Sequence, residues 1–249
     1  MIEIRGLARR FGRKRVLDGL DLDVRTGETL VVLGPSGTGK SVLLKLIIGL
    51  MPPDAGSIRI DGTEIVGLTE RALTPVRRRF GMLFQGAALL DSMTVGENVA
   101  LAMQEHARDL DEAAVRERVL ERLEWVGLRE AANLKPASLS GGMRKRVGLA
   151  RALAMDPEYI LYDEPTTGLD PITADVINQL IRETQRRLKV TSVVVTHDIK
   201  SAYAVADRIV LLYQGRIRYD GTAGETRDTG DAMMRQFIEG SSRGPIQPV

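Results

Sequence analysis

The 249-residue sequence has no cysteine, which excludes disulfide frameworks, thiolate metal sites and thiol nucleophiles. That absence fits a reducing compartment. Aromatic residues are scarce at 4%, so a lone aromatic such as Phe11 reads first as a small packing anchor. No apolar run is long enough to span a bilayer, because the longest, 42–51, is interrupted by Lys45. The first residues, Met1 to Arg5, lack the charged-then-apolar pattern of a signal peptide. A soluble, cytoplasmic subunit is expected. Neither sign of charge dominates: 35 Lys and Arg stand against 33 Asp and Glu, and the net of +2 selects no polyanionic partner. Internal repeats and low-complexity linkers are also missing.

What is present is an ordinary globular balance, 43% apolar and 27% charged, in a length that suits one large α/β domain or a core with an insert. One stretch organises the rest: Gly34, Pro35, Ser36, Gly37, Thr38, Gly39, Lys40 and Ser41. It follows the apolar run 29–33 and precedes the helical pattern 42–48, the strand–loop–helix context of a phosphate-binding loop. Glycines let successive N–H groups face inward as an anion site, and the helix adds its positive end. Lys40 suits the β- and γ-phosphates as a point charge, and the Ser41 hydroxyl suits Mg²⁺. A purely structural glycine turn would not need the Lys-Ser pair.

Period-two alternation in 2–4, 20–24 and 29–33 predicts half-buried antiparallel strands. Gly49 to Pro53 stops the helix after the loop, and 56–62 and 80–84 are further strands. From about 87 to 155 the pattern turns helical, with windows at 94–105 and 111–126 and a third helix opened by Ser140 and running to about Met155. Val115, Val119, Leu123 and Val126 recur at helical spacing and read as core. Then come a strand at 159–162, a helix at 171–188 with proline in its first turn, a strand at 191–195 and a short helix at 198–206. A hairpin over 208–220 turns at Gln214 and Gly215, and one helix covers about 226–240. The fold class is α/β: a parallel core with an antiparallel β layer over 1–86 and 156–240, interrupted by a helical insert at 87–155, with a tail at 241–249. The tail holds two prolines and no periodicity. Either the last helix docks on its own core and the tail is loose, or Pro245, Ile246 and Val249 reach a second subunit.

Four further features carry chemistry. The strand at 159–162 delivers Asp163 at its carboxyl end, placed to hold Mg²⁺ through water, and Glu164 beside it as general base for the attacking water. His197 follows the strand 191–195 and is placed for the γ-phosphate; Gln85 follows the strand 80–84 and is placed for Mg²⁺ and water. Ser140 is a good N-cap, and Gly141 and Gly142 behind it leave backbone N–H groups unshielded. Arg144, Lys145 and Arg146 oppose the helix dipole there, so the helix start is expected to meet an anion, nucleotide held by another copy.

In this order, Gly34 to Ser41, Gln85, Leu139 to Gly142, Asp163-Glu164, Gly168 to Asp170 and His197 resemble the nucleotide-binding subunit of ATP-binding cassette transporters, over essentially the whole chain. The resemblance implies an ATPase that closes as a head-to-tail homodimer on two ATPs. By position Phe11 matches the adenine-stacking aromatic, Gln85 the Q-loop, Ser140, Gly141 and Gly142 the signature, Asp170 the D-loop and His197 the switch histidine. Met143 departs from the usual glutamine. The segments 83–90, 139–143, 163–173 and 235–240 resemble more narrowly the ATPases of Mla- or Mce-type lipid transporters. That implies a multispanning permease in the inner membrane, a lipid-binding Mce-type protein within the complex, phospholipid cargo and no nucleic-acid partner. Cassette proteins of translation or DNA repair carry two cassettes or a long coiled coil, and a nucleotide kinase would not use residues 139–142. A binding-protein-dependent importer of a polar solute such as an amino acid is the other transporter reading.

Overall fold

The computed structural model describes residues 1–106 and 110–247. The strands are β1 (Ile2–Phe11), β2 (Lys14–Val24), β3 (Thr29–Leu33), β4 (Ala55–Ile60), β5 (Thr63–Glu64), β6 (Phe80–Leu83), β7 (Tyr159–Asp163), β8 (Thr191–Thr196), β9 (Arg208–Tyr213) and β10 (Arg216–Thr222). The helices are α1 (Lys40–Ile47), α2 (Glu70–Arg77), α3 (Val95–His106), α4 (Glu112–Trp125), α5 (Gly141–Ala152), α6 (Pro171–Leu188), α7 (Ile199–Val205), α8 (Ala223–Arg227) and α9 (Ala232–Glu239). They fall into two compact units, 1–77 with 191–249 and 78–190.

In the first unit β2, β1, β4 and β5 form an antiparallel sheet. β1 alternates as the sequence predicts: Ile2 and Ile4 are fully buried, while Glu3 and Arg5 face out. β3 departs from that expectation. It lies parallel between β8 and β9, and all five of its residues are buried. A strand covered on both faces reads as a continuous apolar run, which is what Leu30 to Leu33 are. α1 buries Leu43, Leu44, Leu46 and Ile47 on the core.

The expected helix over 226–240 is two helices. Thr222 and Glu225 form a capping box that starts α8 early, and Asp231 accepts from Met234 N to start α9 afresh. The tail is not loose. The buried Gln236 amide brackets Ile246, donating to its carbonyl at 2.9 Å and accepting from its N–H at 2.6 Å. Gln247 N–H donates to the Tyr213 hydroxyl at 3.0 Å. Ile246 is thereby engaged within its own chain; Pro248 and Val249 lie outside the described residues. Gln236→Ala would orphan both backbone groups of Ile246, at a cost of about 1–3 kcal/mol. The expected result is a lower urea midpoint and new protease cleavage within 241–247. An unchanged midpoint and cleavage pattern would refute this docking.

The second unit pairs β6 and β7 in parallel, packs α3, α4 and α5 on one another and sets α6 against α5. α6 spans the helix read from sequence, with Asp170 as N-cap accepting from Ile172 and Thr173 N–H at 3.0 Å each. α5 starts one residue after its Ser140 cap and ends at Ala152, three residues short of Met155. No described helix is long and apolar enough to cross a membrane.

Candidate nucleotide site

In the first unit the loop between β3 and α1 is shaped by Gly37 and Gly39, at φ 76° and 102°, left-handed conformations that side chains disfavour. A Cβ on Gly39 would also meet Val16 Cγ1 at 2.6 Å. Thr38 Oγ1 donates to Pro35 O at 2.8 Å and closes the turn. Lys40, nearly buried, curls its ammonium over the loop and donates to Gly34 O at 2.7 Å and Pro35 O at 3.2 Å. Ser41 follows it in the first turn of α1, whose cap carries no side-chain bond. A helix start that follows a glycine-rich loop is an arrangement that attracts phosphate. Beside the loop is a cavity of about 460 Å³, with Ser36, Gly37 and Thr38 on one wall and Val16, Gln214, Gly215 and Gln247 among its other lining residues.

The register brings His197 to the same end of this unit. Leu33 pairs with Thr196, so Gly34 and His197 are the next residues on neighbouring parallel strands. Phe11 is the last residue of β1. It is exposed, with the Arg9 guanidinium 5.1 Å from its ring centre.

In the second unit Leu83 pairs with Tyr162, so Gln85 and the Asp163-Glu164 pair leave adjacent parallel strands at one end. Asp163 and Glu164 are both nearly buried. Glu164 sits at φ 48°, and Thr167 Oγ1 donates to its Oε2 at 2.9 Å, which fixes the carboxylate. Sequence reading missed Thr167, although a hydroxyl three residues beyond the acid is a local signal. Gln85 is exposed. The two residues after Gly86, Ala87 and Ala88, sit at φ 61° and 48°, and Arg151 donates to both of their carbonyls at 2.6 Å.

At the start of α5, Ser140 and Gly141 are exposed, and Ser140 Oγ accepts from Met143 N at 3.2 Å. Gly142 is not an unshielded backbone: it is buried, and a Cβ there would meet Thr173 Cγ2 at 2.3 Å. The cations that follow it donate to carbonyls of their own chain. Arg144 donates to Leu139 O and Arg146 to Val126 O, at 2.8 and 3.0 Å. Lys145 is buried and donates to the carbonyls of Gln85 and Glu164. A run of three basic residues carries no mark of which carbonyls lie around its helix, so these contacts could not be read from the sequence. Asp170 is exposed, and its carboxyl is held below the usual carboxylate range first by the Thr173 hydroxyl bond, then by the Thr173 N–H.

Residues 17–167, which carry the phosphate loop, Gln85, the signature and the acidic pair, match the family described as ABC transporter. The chain belongs to the ABC transporter family. Among relatives of this ABC protein, the intermembrane phospholipid transport system ATP-binding protein MlaF of Haemophilus influenzae is 42% identical, over 99% of this chain and 93% of its own. The probable ribonucleotide transport ATP-binding protein mkl of Mycobacterium leprae is also 42% identical, over 98% of this chain and 70% of its own. A dimeric post-hydrolysis structure of the ATP-binding cassette MJ0796, bound to ADP and Pi, superposes with a TM-score of 0.83 at 35% identity, covering 90% of this chain and 99% of that one. The chain therefore has the ABC ATPase fold, and it is an ATPase of this family.

Proposed function

We propose that the chain is the ATP-hydrolysing motor of a phospholipid transporter, working as a homodimer on the cytoplasmic face of an inner membrane beneath a multispanning permease. The observation that carries the cargo is the match to MlaF along nearly the full length of both chains. A lipid-binding Mce-type protein belongs to the same complex and meets this subunit only indirectly. Dimerisation is supported by the dimeric cassette that the fold resembles.

Gly34 to Ser41 hold the phosphates of ATP through loop N–H groups and the Lys40 ammonium, and Phe11 stacks on adenine. Glu164 takes the proton of the attacking water, its carboxylate held for that task by Thr167. His197 contacts the γ-phosphate. Ser140, Gly141 and Gly142, with Asp170, act on nucleotide held by the second copy. The oxygen donors Ser41, Gln85 and Asp163 suit Mg²⁺, which takes one or two carboxylates together with substrate phosphates. Among the described residues no group of three or more His, Asp or Glu could hold a metal by itself, which fits a cation brought with the nucleotide. When bound, Mg²⁺ neutralises charge on the β- and γ-phosphates.

The permease is expected to dock a short cytoplasmic helix against residues 85–93 and the start of α3. That loop has a firm base: buried Asn98 accepts from Leu90 N at 2.7 Å and donates to Leu90 O and Thr94 O. The exposed Leu90 leaves apolar surface there for a partner.

The mkl relative, at equal identity, favours a second reading with a polar solute as cargo. Chemical analysis of the purified permease complex separates the two. Phospholipid retained after exhaustive detergent exchange is expected, and a ribonucleotide or other polar solute bound at one per complex without retained phospholipid would overturn the lipid reading.

A further inference from the structure

We infer that Lys145 is a positioning residue for hydrolysis, its buried ammonium tying the backbone of the loop at Gln85 to the backbone of Glu164. Lys145 lies on α5 with 5% of its surface exposed. Its Nζ donates to Glu164 O at 2.9 Å and also to Gln85 O. Those carbonyls belong to the residues that leave β6 and β7 at one end, so one side chain clasps both exits. The sequence places Lys145 among three basic residues at a helix start expected to meet an anion, whereas the acceptors of its ammonium are backbone carbonyls of its own chain.

The neighbouring residues of α5 are shaped for the same contact. Gly148, three residues on, permits a close approach: a Cβ there would meet Leu83 Cδ1 at 2.7 Å and Ala87 Cβ at 3.2 Å. Arg151, three further, holds the carbonyls of Ala87 and Ala88. Ala87, Ala88 and Glu164 all have left-handed backbone, which non-glycine residues keep only when their surroundings enforce it. The cations of α5 donate to carbonyls of all three residues. Burial pushes the Lys145 ammonium down from its ordinary value, and the carboxylates of Asp163 and Glu164 push it back up. A cation desolvated to that extent is strongly anchored to its acceptors, because losing one would leave a buried charge poorly solvated.

Displacement of residues 85–88 would therefore be felt at the Glu164 carbonyl through a single ammonium. The loop proposed to meet the permease and the residue proposed as base then share one contact. This inference rests on the roles of Gln85 and Glu164 given above.

The test measures ATP turnover and nucleotide binding in the intact permease complex for Lys145→Met, which keeps chain length and removes the donors, and Lys145→Arg, which keeps the charge and N–H donors. Misplacing a reacting group by even about 1 Å is enough to cost about 100-fold, so Lys145→Met is expected to lower kcat at least about 10-fold. Its nucleotide Kd should stay within about threefold of the parent, the pattern of an interaction that matters in the transition state. Lys145→Arg should recover most of the loss. Should the Met variant fail to fold, Lys145→Gln, whose amide reaches one carbonyl, is read by the same criteria. Unchanged kcat, a Kd that worsens in step with kcat, or an Arg variant no better than Met would each overturn the inference. Glu164→Gln, measured alongside, keeps the two readings apart. An active Glu164→Gln complex defeats the base assignment, whereas an inactive one beside an active Lys145→Met complex defeats only the role of Lys145.

Discussion

Lys40→Ala is expected to abolish ATP hydrolysis chiefly by weakening nucleotide binding. The Lys40 ammonium donates to two carbonyls of its own loop, Gly34 O and Pro35 O, so it is held over the surface that the phosphates would meet. Phosphate oxygens are better acceptors than neutral carbonyls, because charge-assisted bonds are roughly twice as strong. Alanine removes that charge and also the two bonds that hold the loop in shape. Loss of a single preorganised electrostatic contact typically costs 10²–10³ in rate, so turnover should fall by at least about 100-fold. That corresponds to about 2.7 kcal/mol of lost transition-state stabilisation. Nucleotide titration should show the weakened binding directly. Turnover within about threefold of the parent would remove Lys40 from the site, since such a change is under 1 kcal/mol.

Glu164→Gln is expected to fail in a different way. Glutamine has nearly the same shape, and its amide oxygen can still accept the bond that Thr167 gives Glu164 Oε2 at 2.9 Å. The left-handed backbone at residue 164 and the clasp on its carbonyl depend on main-chain atoms and should survive. What is lost is the base, a contribution of about 10²–10⁴ in rate. ATP should still bind, and with hydrolysis blocked the closed dimer should accumulate. Gel filtration with ATP and Mg²⁺ should show a dimer peak for Glu164→Gln. A monomer peak alone, with ATP demonstrably bound, would contradict the proposal.

The two substitutions fall on features that differ in how visible they are in sequence. The loop at 34–41 is local: its glycines, lysine and serine are contiguous, and the flanking β3 and α1 carry their own periodicities. α6 is equally local, since Asp170 caps it and Pro171 opens it, both within four residues of its first turn. The acidic pair could be found because a β-branched and apolar strand announces its own end. β3 was misread as antiparallel because five residues are too few to separate alternation from a run buried on both faces.

The rest depends on partners distant in sequence. Lys145 bonds carbonyls 60 and 19 residues away, and backbone acceptors leave no trace in side-chain pattern. Gln236 likewise behaves as a surrogate strand edge for Ile246, a role that its amide shares with any exposed glutamine. α2, with Pro75 inside it, escaped notice because an internal proline argues against a helix. The boundary between the compact units is also non-local. It places β6, β7 and α6 with the helical segment rather than with 1–77, which no shift in composition at Arg77 or Val190 would suggest.

The central claim is that ATP hydrolysis by this chain drives phospholipid movement, and it is tested most directly in proteoliposomes. The chain and its permease partners, reconstituted with labelled phospholipid, are followed for transfer to a lipid-binding acceptor with ATP, without ATP, and with Glu164→Gln in place of the parent. Transfer that requires ATP and stops with Glu164→Gln is the predicted result. Phospholipid transfer at the same rate in all three conditions, with ATP consumed only by the parent, would contradict it.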